Sequence, residues 1–118
     1  MRIAVASNGL DVAENFPQCL NFNYYTTKSY EIAESQNIPA QGLTGEEYAN
    51  LMERIDVDTF ICHSIAPAHK SAFEDRGIEV VSGASGRAMQ VAESYVQKKA
   101  EELENEEAQE DDEWQGLP

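Results

Sequence analysis

The sequence predicts a single three-layer α/β/α domain built on a mixed five-stranded sheet with an antiparallel hairpin at one side. Three observations carry that reading. Short apolar runs at 2–7, 59–62 and 78–81 are rich in β-branched or aromatic residues and bounded by turn or cap residues, as buried strands are. Helical periodicity separates the later runs, and strands joined through helices lie parallel, with right-handed crossovers that set the helices on the sheet faces. Between the first run and the first helix lies a stretch of period-two alternation, the mark of a hairpin. With 118 residues, 42% hydrophobic and 25% charged, the chain can bury one core without disulfides.

In chain order, Arg2-Ile3-Ala4-Val5-Ala6-Ser7 is a buried first strand ended by the turn signal Asn8-Gly9. Leu20, Phe22 and Tyr24 alternate with Asn21 and Asn23, and the alternation resumes at Tyr30 and Ile32 after Thr27-Lys28-Ser29, which predicts an edge hairpin with a polar outer face. Residues 36–43, with Asn37, Pro39 and Gly42, break both periods. Thr44 and Glu47 then form a capping box ahead of a helix whose core stripe is Tyr48, Leu51, Met52 and Ile55. Thr59 to Cys62 reads as a central strand, Pro67 as the first position of a helix ending at Gly77, and Ile78 to Val81 as another strand. Gly83-Ala84-Ser85-Gly86 leads into a last helix with the stripe Ala88, Val91, Ala92 and Tyr95, and Ser85 is placed to cap it. Beyond Val96 the stripe thins, so fraying is expected near residue 104.

Charge divides the chain in two. Of the 22 acids, nine lie beyond residue 100, where there is no base, so the net charge of −14 splits into −5 on residues 1–100 and −9 on residues 101–118. The expected organisation is therefore a domain over 1–100 and an acidic, disordered tail over 101–118. Both parts repel nucleic-acid phosphate, which excludes nucleic acid as a partner. No apolar run approaches the ~20 residues a membrane helix needs, and no export signal precedes the first strand. A cytoplasmic location follows as the expectation, with Cys19 and Cys62 as free thiols.

Ligands of open α/β sheets bind outside the carboxyl ends of the strands, and the loops there hold nearly everything reactive. They carry Asn8, Asn15 and Cys19 after the first strand, Cys62, His63, Ser64 and His69 around the fourth, and Gly83, Ser85 and Gly86 after the fifth. Thiolate and imidazole are donors for soft or borderline metals, although no C-x2-C pair is present. Adjacent Cys62 and His63 would point to opposite sheet faces, a free Cys is as readily a core residue, and His69 reads as a solvated side chain. The glycine-rich turn offers backbone N–H groups to an anion, or simply makes a tight strand-to-helix connection. No Walker loop or G-x-G-x-x-G follows a strand. Ser7, Cys62 and Ser82 stand at strand ends where a two-metal nuclease needs carboxylates, and no third group orients a Cys–His nucleophile, so an enzyme is not expected. The acidic tail with Trp114 is either a solvated run or a docking arm.

The four segments Met1 to Gly9, Asn15-Phe16-Pro17-Gln18-Cys19 leading to Phe22, Cys62 to Pro67, and Gly83 to Gly86 resemble the dinitrogenase iron–molybdenum cofactor biosynthesis domain family, the family of nitrogenase accessory factor X. The resemblance spans roughly residues 1–97. It implies a ribonuclease H-like fold and a non-catalytic accessory protein that carries an iron–molybdenum or iron–sulfur type cluster between a donor and an acceptor protein. Of these positions Cys19 matches a cysteine that many members carry, and the expectation for this chain is that Cys19, Cys62 and His63 are the metal donors, with Asn8, Asn15, Ser64, Gly83, Ser85 and Gly86 lining the cluster. This chain departs from the pattern at Asn15 and Pro17, where members commonly carry His and Gly, and at His63-Ser64 and Ala66, where they carry glycines. The alternative is a metal-free interaction module that docks a partner through its acidic tail.

Overall fold

The computed structural model describes the backbone of residues 1–115 and the side chains of residues 1–103. The elements run β1 (Arg2–Asn8), β2 (Asp11–Val12), β3 (Asn21–Lys28), β4 (Glu31–Pro39), α1 (Gly45–Arg54), β5 (Thr59–Ile61), α2 (Pro67–Glu74), β6 (Glu79–Val81) and α3 (Ala88–Gln115). One mixed sheet is ordered β4-β3-β1-β5-β6, with β2 paired to β1 off that path. The three strands β1, β5 and β6 are parallel, and the β3–β4 hairpin joins antiparallel at β1. The sheet therefore has six strands rather than five. The additional strand, β2, is two residues long, too short for any periodicity to reveal it.

Alternation along β1 builds the layers. Ala4 and Ala6 face α1 and α2, whose Tyr48, Met52 and Phe73 close over Phe16, Phe22 and Phe60. Ile3 and Val5 face the other way, against Ala88, Ala92, Tyr95 and Val96 of α3. Because alanine is small, the first face has room for an aromatic cluster: Phe60 stacks on Phe73 at 4.3 Å and meets Phe16 edge-on at 4.9 Å. Such pairs contribute about 0.5–1.5 kcal/mol each beyond the area they bury. On the opposite face, Thr59 Oγ1 donates to Tyr95 Oη at 3.0 Å and Tyr95 Oη donates to Glu79 Oε2 at 2.9 Å, tying α3 to β5 and β6.

The predicted capping box is present: Thr44 Oγ1 accepts from Glu47 N–H at 3.1 Å, and Glu47 Oε1 accepts from Thr44 N–H at 3.1 Å. Tyr48 and Met52 of the predicted stripe are buried, while Leu51 and Ile55 pack at its margin. Four expectations are corrected. The break placed at 36–43 is strand as far as Pro39, because an edge strand has no outer ladder for Asn37 or Pro39 to disrupt. A β-bulge leaves Ala33 unpaired, which turns Ile32 toward α3 and Ile38 toward α1 and α2. Along β3 Phe22 is buried as expected, but Leu20 is exposed and Asn21 and Asn23 are buried as well, so the period of two is lost at the strand's start. The helix expected to end at Gly77 stops at Glu74, with Gly77 at φ +75 in the turn beyond it. Finally, α3 continues past residue 104 to Gln115, since Glu, Ala and Gln are strong helix formers and keep a backbone helical without an apolar stripe. The Trp114 side chain and residues 116–118 lie outside the described residues. Among the described residues no helix is long and apolar enough to cross a membrane.

Candidate functional site

Because β1, β5 and β6 run the same way side by side, the segments that follow them emerge at one edge of the sheet. Backbone hydrogen bonds join these segments into one mouth. Phe16 N–H donates to Ser64 C=O at 3.1 Å, within a parallel bridge between Asn15 and Ser64. Val12 N–H donates to Gly86 C=O at 2.8 Å, and Ala88 N–H to Leu10 C=O at 2.9 Å. Gly83 N–H donates to His63 C=O at 2.8 Å and Ala84 N–H to Cys62 C=O at 3.1 Å. Gly83 and Gly86 hold φ of +82 and +93, a conformation that side chains other than glycine resist. The structure thus brings together Asn15 with Ser64, and Cys62 and His63 with the glycine turn.

Asn8 is partly committed: its Oδ1 accepts from Leu20 N–H at 3.1 Å and fastens the long loop to the end of β1. Ser85 is not the helix cap, because α3 begins at Ala88 and the capping position falls on Arg87. Two polar residues that the sequence reading passed over, Asn21 and Asn23, hold the Asn8-Gly9 turn from beneath. Asn21 Oδ1 accepts from Gly9 N–H at 2.7 Å, while the Nδ2 groups of Asn21 and Asn23 donate to Gly9 C=O at 3.0 and 2.9 Å. Asn23 Nδ2 also donates to the buried Ser7 Oγ at 2.9 Å, and Asn21 Nδ2 to Asn37 Oδ1 at 2.7 Å. Their signal in the sequence was the spacing of Asn21 and Asn23, two residues apart on one face of a strand beside a turn.

The two cysteines differ. Cys62 is 0% exposed among Ala4, Ala6 and Phe60, so its thiol belongs to the core and does not reach solvent. Burial raises this thiol to about 11, against a smaller opposing effect of the Lys70 charge. Cys19 is half-buried at the margin of the same cluster, and desolvation raises it to about 11, partly offset by a backbone hydrogen bond from Ser7. Both thiols are free.

His63 is exposed, and its Nδ1 lies 2.9 Å from Ala84 C=O. A carbonyl only accepts, so in the neutral ring Nδ1 carries the proton and the lone pair is on Nε2. Carbonyl-held imidazoles of this kind are the common form of a metal-ligating histidine. His69 is not solvated as expected. Its ring lies against Gly45 of α1 and edge-on to Phe16 at 6.1 Å, and its buried Nδ1 has no partner. Among the described residues, no cluster of three His, Cys, Asp or Glu side chains is disposed to hold a metal ion. The sequence-predicted trio Cys19, Cys62 and His63 is therefore divided, with Cys62 withdrawn into the core.

The helix starts near the mouth differ in how their N–H groups are met. The first turn of α1 holds Glu46 and Glu47 and is closed by its capping box. By contrast, α2 has no side-chain cap and neither α2 nor α3 has an acid in its own first turn, although at the start of α3 Ala88 N–H is bonded to Leu10 C=O and Asp11 pairs with Arg87 at 3.7 Å.

A family model described as dinitrogenase iron–molybdenum cofactor matches residues 1–98. No curated protein matches the sequence. Among solved structures, the protein designated PH0822 is similar with a TM-score of 0.77 at 17% identity, covering 83% of this chain and 90% of its own. A Methanocaldococcus jannaschii protein described as a dinitrogenase candidate is similar with a TM-score of 0.69 at 16% identity, covering 83% and 89%. The apo form of the orange protein from Desulfovibrio gigas is similar with a TM-score of 0.66 at 20% identity, covering 85% and 87%. At these identities the structural likeness speaks for the fold.

Proposed function

The chain belongs to the dinitrogenase iron–molybdenum cofactor family, and from that premise we propose that it is an accessory carrier of a metal–sulfur cluster. In this reading the cluster is cargo, received from one protein and released to another, and the chain performs no chemistry on it. One observation carries the reading: exposed His63 has its Nδ1 held by Ala84 C=O, which leaves Nε2 as a ready donor at the mouth. Cys19 is the proposed second donor, and Cys62, fully buried, is left to the core. Asn8, Asn15 and Ser64 with the Gly83–Gly86 turn supply N–H and amide groups around an anionic cluster, and the uncapped start of α2 offsets part of its charge. Two donors on separate segments suit a carrier, since each can be displaced in turn by the thiolates of an acceptor protein.

The test is retention of an anaerobically supplied molybdenum–iron–sulfur cluster, read as protein-bound metal and visible absorbance after gel filtration. His63→Ala and Cys19→Ala are expected to lose the cluster. Cys62→Ala is expected to keep it while losing stability. Retention unchanged in both His63→Ala and Cys19→Ala would refute the donor assignment.

A further inference from the structure

Ladder pairing between β1 and β3 ends at Ser7 and Asn21, and beyond that point a side chain continues it. Gly9 C=O can only accept, so the group facing it from Asn21 is Nδ2, which leaves Oδ1 to receive Gly9 N–H. One amide thus takes both backbone groups of Gly9, at 2.7 and 3.0 Å, as a residue of a paired strand would. Asn23 Nδ2 donates to the same carbonyl and to Ser7 Oγ, which in turn donates to Val5 C=O at 2.9 Å. The peptide planes on both sides of Gly9 are therefore fixed.

Each plane carries an arm to one side of the mouth. Through its Oδ1, Asn8 holds the N–H of Leu20, the residue after Cys19. On the other side, Leu10 C=O accepts from Ala88 N–H just past the Gly83–Gly86 turn, and that turn holds His63 through Gly83 N–H and Ala84 C=O. Ser7, Asn21 and Asn23 are only 0%, 7% and 9% exposed, on the sheet face that Ile3 and Val5 fill with apolar side chains farther along. Burying amides costs free energy unless they are paired, and a paired polar network specifies one geometry where an apolar filling would serve stability alone.

We propose that Asn21, with Asn23 behind it, is a positioning residue of the mouth. By gripping Gly9 it makes the Asn8-Gly9-Leu10 turn a brace between the Cys19 segment and the His63 segment, so that a cargo cluster meets its donors at a fixed separation. This role rests on the carrier reading of the mouth.

The test compares two variants that add the same charge. Asn21→Asp keeps the acceptor for Gly9 N–H but sets an oxygen against Gly9 C=O and Asn37 Oδ1. Asn37→Asp, at an exposed position of β4, keeps the Oδ1 that accepts from Asn21. In the full cluster-free chain labelled with ¹⁵N, Asn21→Asp is expected to speed hydrogen exchange at both the Leu20 and the Ala88 amide by at least about tenfold, the scale of one buried hydrogen bond, and the Phe60 amide of β5 by less. Asn37→Asp leaves all three rates unchanged. After anaerobic loading with a molybdenum–iron–sulfur cluster, release to excess dithiothreitol is expected to be about tenfold faster from Asn21→Asp than from the wild type or Asn37→Asp. Asn21→Ala, which removes the amide without adding charge, gives the same two results and replaces Asn21→Asp if that chain does not fold. Exchange unchanged at either Leu20 or Ala88, or raised equally at Phe60, overturns the brace. Release as slow as from the wild type, in a variant whose exchange is raised at both amides, overturns the positioning role. A wild-type chain that takes up no cluster overturns the carrier reading instead, and the exchange rates then decide the brace by themselves.

Discussion

At neutral pH a thiol whose pKa is pushed to about 11 carries its proton, and Cys19 is such a thiol. Binding a metal through it means losing that proton, so cluster retention by the wild-type chain should strengthen with rising pH, by up to about tenfold per unit if one thiolate is formed. Retention independent of pH between 6 and 9 would argue that Cys19 is no ligand. The same shift bears on folding. Cys19 and Cys62 rise from 9.0 in the free side chain to about 11 in the folded one, so between those values the folded chain holds more protons than the unfolded. Their contribution is present below pH 9 and is lost as pH climbs toward 11, which a series of denaturation curves over that window will show as falling stability. Residue identity was legible here and side-chain direction only partly. The opposed directions of Cys62 and His63 follow from strand alternation. What the sequence did not disclose is that Ala84 C=O would sit against His63 Nδ1, a contact between residues 21 positions apart.

Between elements, α1 approaches α2 closely at Gly45. Gly45 opens α1 without a side chain because the His69 ring of α2 occupies the space a Cβ would take. Gly45→Ala gains helix propensity of up to about 1 kcal/mol but forces the ring aside, and a net loss of about 1–2 kcal/mol is expected by urea denaturation. In a His69→Ala background the same change should be neutral or stabilising, and equal losses in both backgrounds would contradict the contact. On the other face, Tyr95→Phe leaves Thr59 Oγ1 buried without its partner, while Glu79 keeps Lys99 Nζ at 3.6 Å, so a loss of about 1–3 kcal/mol is expected at unchanged m-value. Helix starts and buried strands were legible because caps and β-branched runs act locally. The hairpin was read less well, since Leu20 is exposed while Asn21 and Asn23 find partners across the sheet, and such long-range amide pairs leave no period behind. The bulge at Ala33 was hidden for the same reason: it is a property of pairing with β3, not of β4 alone.

For the molecule as a whole, charge and core are distributed to different parts of the chain. The described core residues all lie within 1–96, and nine of the 22 acids lie beyond residue 100. We propose, in keeping with the two-part division, that deleting residues 101–118 brings the net charge from −14 to −5 and changes the unfolding free energy of the remainder by less than about 0.5 kcal/mol. A larger loss, or a broadened transition, would show that the segment supports the domain. The parallel strands β1, β5 and β6 make the mouth a consequence of topology, which is why its location at their carboxyl ends could be anticipated before its lining could. On the proposed reading this mouth holds a metal–sulfur cluster. Its most direct test is elemental analysis with a visible spectrum on the full chain, purified without oxygen and offered an iron–sulfur or molybdenum–iron–sulfur cluster. Stoichiometric metal with a charge-transfer band is the predicted result; a colourless, metal-free protein after the same treatment would contradict it.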